Sequence, residues 1–219
     1  MCLRQTVFLA VFWLYHANCA FAFDNGDTQY WNTESISWKI NDVWAVKLEE
    51  EFRFGDNASD FFYQHSDLGL TYSGFAQWLA LGLNYRGIFE ESKNNWQYEN
   101  RPHLNVVLKT KVNDIKISNR SRLEFRIRKS VEDKTRYRNK STIKLPVKWS
   151  RFEWQPYIAD EIFLEFESTE MTRNRLYAGF GGKLNKYLGL EFYYILETKK
   201  SSDDWKDTNV LGTKLKLLF

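Results

Sequence analysis

The 219-residue chain predicts an all-β fold, a transmembrane antiparallel up-and-down β-barrel of about 10–12 strands with twelve preferred. Three observations predict it. Short alternating segments follow one another from residue 29 to the end, with only three Pro and no 3.6-residue period. Short and longer connections alternate. Most segments have one apolar face and one charged face. The mean hydropathy of −0.53 excludes a bundle of membrane helices, which needs several apolar runs of about 20 residues. With 17% aromatic residues, a disordered chain is also excluded.

The candidate strands are residues 29–40, 43–54, 59–72, 77–89, 96–110, 114–127, 134–147, 151–166, 172–184, 187–199 and 207–219. Each reaches the roughly 9–11 residues of a tilted spanning strand. Residues 41–42, 112–113, 148–150 and 185–186 read as short turns. Residues 55–58, 90–95, 128–133, 167–171 and 200–206 read as longer polar loops. Bacterial single-chain barrels have even strand numbers. Either a short extra strand over residues 23–28 completes the count, or one of the eleven segments is not a strand; twelve is preferred. Gly179, Gly181 and Gly182 fall inside a candidate strand, where a bend or close strand approach explains them.

The faces give the register. In 43–54, Trp44, Val46, Leu48, Phe52 and Phe54 oppose Lys47, Glu49, Glu51 and Arg53. In 114–127, Ile115, Ile117, Leu123, Phe125 and Ile127 oppose Lys116, Arg120, Arg122, Glu124 and Arg126. A soluble sandwich or lipocalin-like barrel puts the apolar face inside; a membrane barrel puts it against lipid. Aromatic residues near strand ends favour lipid. Trp38, Trp44, Tyr72 and Trp78 lie by short turns, and Tyr85, Phe89, Tyr98, Phe125 and Tyr137 lie toward the longer loops, as in two interfacial girdles. Leu215, Leu217 and Phe219 share one face of the last segment, and resemble the C-terminal strand that barrel-assembly machinery recognises.

The first 22 residues read as a cleaved secretory signal: Arg4, an apolar core over 6–15, then Ala20-Phe21-Ala22. Residues 23–219 are then the barrel domain. Removing 1–22 takes both cysteines, Cys2 and Cys19, so disulfides and Cys-based chemistry drop out. It also takes one basic residue from a total of 31 Lys+Arg against 28 Asp+Glu. The near-neutral remainder argues against a nucleic-acid partner. The expected location is the bacterial outer membrane, with lipid and the assembly machinery as partners.

Eight stretches carry a family resemblance: LEEEFRFGDN (48–57), DLGLTY (67–72), LGLNYR (81–86), ENRPH (99–103), RYRNK (136–140), QPYIADEIF (155–163), NRLYAGFG (174–181) and the ending 209–219. Together they resemble a family of bacterial outer-membrane barrels known only as a domain of unknown function, DUF2490. The resemblance implies the barrel and carries no activity, cofactor or site residue.

In the barrel register the charged faces line the lumen. The basic candidates are Arg53, Arg86, Arg101, Arg122, Arg126, Arg136, Arg138, Arg173 and Arg175. The acidic ones are Glu49, Glu51, Glu99, Glu124, Glu153, Glu161 and Glu191. Arginine rings select anions, so the preferred expectation is a narrow passive pore or solute-binding barrel that prefers small anionic solutes. The other is a structural or surface-interaction barrel with a lumen closed by salt bridges. A lipid hydrolase is a third class. His65 and His103 fall on polar faces, and no Ser is partnered with a His, so no catalytic set is assigned. No metal or cofactor is expected.

Overall fold

The computed structural model describes residues 26–92, 95–129, 132–201 and 204–219. The expected signal segment lies outside them. Alternating sequence becomes paired strand throughout: β1 (Asp27–Lys39), β2 (Trp44–Gly55), β3 (Asp60–Ala76), β4 (Leu79–Ser92), β5 (Asn95–Val112), β6 (Ile115–Arg128), β7 (Lys134–Lys144), β8 (Gln155–Glu165), β9 (Glu170–Lys183), β10 (Leu188–Ser201) and β11 (Asp204–Leu218). Each strand pairs antiparallel with its sequence neighbour. β1 and β11 close the barrel in parallel, from Asp27↔Thr208 to Ser37↔Leu218.

This closure corrects the preference for twelve strands and for a wholly antiparallel barrel. Among the described residues eleven strands close without a twelfth. An odd number of alternating strands leaves the first and last pointing the same way, so they pair in parallel. Of the expected extra strand, Asp27 and Thr28 open β1 and residues 23–25 lie outside the described residues. The last residue is part of the seam: Phe219 N–H donates to Ser37 O at 2.9 Å, and its carbonyl accepts from Lys39 at 3.0 Å.

The two ends are a turn mouth, holding the end of β11, and a loop mouth, holding the start of β1. At the turn mouth Asn113 and Asp114 take φ of 47° and 70°, the left-handed pair of a type I′ hairpin. Two connections differ from expectation. The β7–β8 link is not a short turn. It runs over residues 145–154 and is closed by a Trp149–Trp154 bridge. Left-handed Ser150 and Glu153, with φ of 63° and 50°, bend it. Conversely, β4–β5 and β10–β11 extend their ladders into the expected loops, as in Glu90↔Gln97 and Lys200↔Trp205.

The distribution of residues is that of a barrel turned inside out. Leu68, Leu83, Ile158 and Leu211 are each more than half exposed on the outer face. Among the described residues, buried polar and charged side chains outnumber buried apolar ones. Apolar packing inside is limited to small clusters such as Trp31–Ile195–Val210 and Phe62–Tyr63–Ile88. Phe62 and Tyr63 are adjacent yet both buried, because a register shift in the β2–β3 ladder beside them breaks strict alternation. Where the outward parity of β6–β9 is polar, the side chains bond to each other: Asn119 to Asn139 at 2.8 Å, and Asn174 to Asp160 at 2.7 Å. Glu34 and Glu50 stand opposite each other on the outward parity of β1 and β2.

Two glycines are required by close approach. A Cβ at Gly212 would sit 2.1 Å from the Tyr193 ring of β10, and one at Gly179 would sit 2.7 Å from Phe192 O.

The seam can be tested by crosslinking. Asn32 Nδ2 donates to Thr213 Oγ1 at 3.0 Å across it, and paired strand neighbours lie within disulfide reach. Asn32→Cys with Thr213→Cys, in a chain with Cys2 and Cys19 replaced by Ser, is expected to crosslink under mild oxidation and keep the folded gel mobility. Folded protein that never crosslinks would rule out the parallel seam.

Candidate functional site

The functional candidate is the charged interior, placed by strand alternation: every second residue points inward. All nine candidate arginines and the five acids Glu49, Glu51, Glu99, Glu124 and Glu161 project inside. Glu191 does too. Glu153 does not. It lies in the β7–β8 link, exposed, and pairs with Lys148 at 3.0 Å.

Two carboxylates organise the middle of the barrel. Glu124 on β6 is 0% exposed. It accepts from Arg136 Nη2 at 2.6 Å and Arg138 Nη1 at 2.8 Å. Arg122 and Arg101 stand at 3.5 Å and 3.9 Å. Glu161 on β8 is 1% exposed. It accepts from Arg120 at 2.7 Å, and from Arg138 Nη2 and the Tyr177 hydroxyl at 2.8 Å each. Arg175 is 4.0 Å away. Arg138 thus bridges the two carboxylates, and β6, β7, β8 and β9 all contribute to one buried partition.

Satellite pairs continue it. Arg86 binds Asp67 at 2.7 Å, and Arg53 binds Glu51 at 2.6 Å. Arg101 and Arg126 hold Glu99 at 2.5 and 3.0 Å. Arg175 and Arg173 hold Glu197 at 2.5 and 3.3 Å. Lys47 and Lys214 converge on Glu49 at 2.5 and 2.6 Å. Aromatic faces fill the gaps: Arg53 lies 3.6 Å over the Trp31 ring, and Arg138 4.4 Å over Phe163.

Asp67, Glu165 and Glu197 are lumen acids that the reading of the charged faces missed. Asp67 shares the parity of His65 two residues earlier, which is the signal that would have found it. Trp31 and Phe163 carry no such signal, because they are apolar residues at lumen positions. His65 and His103 are both 1% exposed. His65 Nδ1 lies 3.1 Å from the Tyr63 hydroxyl, and His103 Nε2 3.5 Å from Asp67. Among the described residues no group of three His, Cys, Asp or Glu is arranged to hold a metal ion.

About 180 Å³ of central space remains beside this cluster, lined by Trp31, Glu161, Arg175 and Tyr193 among others. The loop-mouth chamber is about 460 Å³. There Glu90, Glu99 and Glu165 alternate with Arg126, Arg128 and Arg173. The turn-mouth chamber is about 300 Å³ and is dominated by lysines. On the rims, Glu167 accepts the Thr135 amide at 2.5 Å, and that bond holds its carboxyl below the ordinary carboxylate value. Lys111, 2.5 Å away, does the same for Asp114.

A closed barrel with its charge inside and its apolar side chains outside defines the class of this protein. Residues 28–208 match the family described as protein of unknown function (DUF2490), and the chain belongs to that family. No curated protein and no solved structure matches it.

The partition makes a stability prediction. Removing one partner of a buried ionic cluster leaves uncompensated charge, a loss of about 3–5 kcal/mol. Glu124→Gln is expected to lose that much in denaturant unfolding. Glu170→Gln breaks an exposed pair with Lys200 and is expected to lose less than about 1 kcal/mol. Equal losses would mean that the central cluster has no special role.

Proposed function

We propose that this chain is an outer-membrane barrel whose lumen is closed at its centre, acting as a structural or solute-binding barrel rather than as a free passage. The observation that carries the reading is the complete burial of Glu124 among arginines from β5, β6 and β7. A free passage needs a hydrated path. Here Arg86, Arg101, Arg122, Arg136, Arg138 and Arg175 are each at most 7% exposed. Arginine committed to buried carboxylates does not present its charge to a passing anion as a selective ring would.

The membrane part of the reading is supported by the exposed apolar outer face and its aromatic rims. Trp38, Trp44 and Trp78 are exposed at the turn mouth, and Tyr85, Phe89 and Tyr98 toward the loop mouth. The N-terminal signal pattern and the final strand agree with export. Leu215, Leu217 and Phe219 then serve as the assembly signal, which leaves the turn mouth on the periplasmic side. No covalent step, cofactor or metal enters this reading, and neither histidine has a Ser nucleophile assigned to it.

Planar-bilayer recording tests the closed lumen. The wild type is expected to show no sustained single-channel steps. Replacing both Glu124 and Glu161 by Gln removes the counter-charge for the arginines that meet there, and is expected to produce anion-preferring conductance. Stable conductance by the wild type would overturn the closed reading. Recovery in the outer-membrane fraction, with heat-modifiable gel mobility, tests the location separately.

A further inference from the structure

The chamber at the turn mouth differs from the rest of the interior in its charge. Two adjoining cavities, of about 300 and about 290 Å³, share Lys144, Tyr157 and Glu191. Lys116 and Lys216 line the first, and Arg120 and Lys140 the second. The one inward carboxylate here, Glu191, is already engaged by Lys216 and by the Tyr157 hydroxyl at 2.6 Å. Arg120 is committed to Glu161, and Lys140 sits 3.3 Å over the Tyr177 ring. Glu153, on the wall of the first cavity, is paired with Lys148.

Lys116, Lys144 and Lys183 remain. Lys116 and Lys144 are directly opposed partners on β6 and β7, both exposed, and among the described residues neither forms an ion pair. Like charges facing each other across a ladder destabilise it. Elsewhere in the lumen clustered cations share carboxylates; this pair shares none. Ser118 and Thr142 beside them, and Gln155, add neutral hydrogen-bonding groups. The volume is at the lower end of small-ligand sites.

We infer that the turn-mouth chamber is a binding site for a soluble, multiply charged oxyanion of the phosphate class, clamped between Lys116 and Lys144. The chamber is inside the barrel and adjoins the small central space at Arg120, Lys140, Tyr157 and Glu191; with the lumen closed beyond by the Glu124 cluster, the ligand enters from the turn mouth and does not pass through. The inference rests on the closed-lumen reading for this dead end, but not on the membrane location. A lipid phosphate, held in the bilayer outside the wall, is the source that this placement disfavours.

Pyrophosphate is the probe. In calorimetry on full-length folded barrel in zwitterionic detergent at low salt, saturable binding at one site is expected, weakening as salt rises. Lys116→Gln with Lys144→Gln is expected to reduce affinity at least about tenfold, through loss of two charge-assisted contacts. Lys199→Gln with Lys200→Gln, in the loop-mouth chamber, is expected to leave it unchanged. Heat-modifiable mobility checks that each variant is folded. Absent saturation, or equal loss from both double variants, overturns the site. So does binding to anionic vesicles that pyrophosphate cannot displace. Wild-type conductance with intact pyrophosphate binding would overturn the closed partition alone, so the two failures are distinguishable.

Discussion

A carboxylate withdrawn from water has to be met by positive charge, and in this barrel that requirement converges on Glu124 and Glu161. Both are buried almost completely, and their partners come from β5, β6, β7 and β9. The pairing fixes more than local chemistry. Side chains alternate along a strand, so a one-residue slip of any ladder would turn its arginines outward and leave a charge alone inside. Register and closure are therefore aspects of one electrostatic constraint. The aromatic rings of Trp31 and Phe163 fit that constraint, because arginines can stack on them where no further carboxylate is available.

The parts of the fold legible in the sequence are those that depend on period-two alternation. Lys47, Glu49, Glu51 and Arg53, or Arg122, Glu124 and Arg126, announce an interior face because their neighbours Leu48, Phe52, Leu123 and Phe125 are so different. What alternation cannot show is how distant residues meet. The seam joins Asp27 to Thr208, and no local pattern records that this pairing is parallel. Residues 151–154 still alternate plausibly, yet two left-handed backbone positions make them a turn and remove Glu153 from the lumen. Ion pairing is hidden for the same reason. A row of inward arginines reads alike whether it lines water or grips carboxylates, and only the facing strands decide.

The two mouths differ in electrostatic character. At the loop mouth four carboxylates face six bases, so most of the charge is cancelled locally. At the turn mouth lysines outnumber carboxylates, and low-dielectric walls focus what is left uncancelled. The barrel is thus polarised along its axis although the whole chain carries a formal net charge of only +3. Total charge says little about such a molecule. Its arrangement across the partition says more.

The parallel seam also sets where the first strand begins and the last one ends. A barrel made only of hairpins returns both termini to one rim, where a short linker can join them and the chain can be cut open elsewhere. Here Gly26 is tied to Asp207 at one rim and Phe219 to Ser37 and Lys39 at the other. The 13 residues of β1, at about 3.3 Å each and tilted by about 40°, separate the two ends by roughly 30 Å. Circular permutation with a short linker is thereby closed to this barrel. A peptide fused before β1 and one fused after β11 would stand a full barrel height apart, on opposite sides of whatever the wall divides.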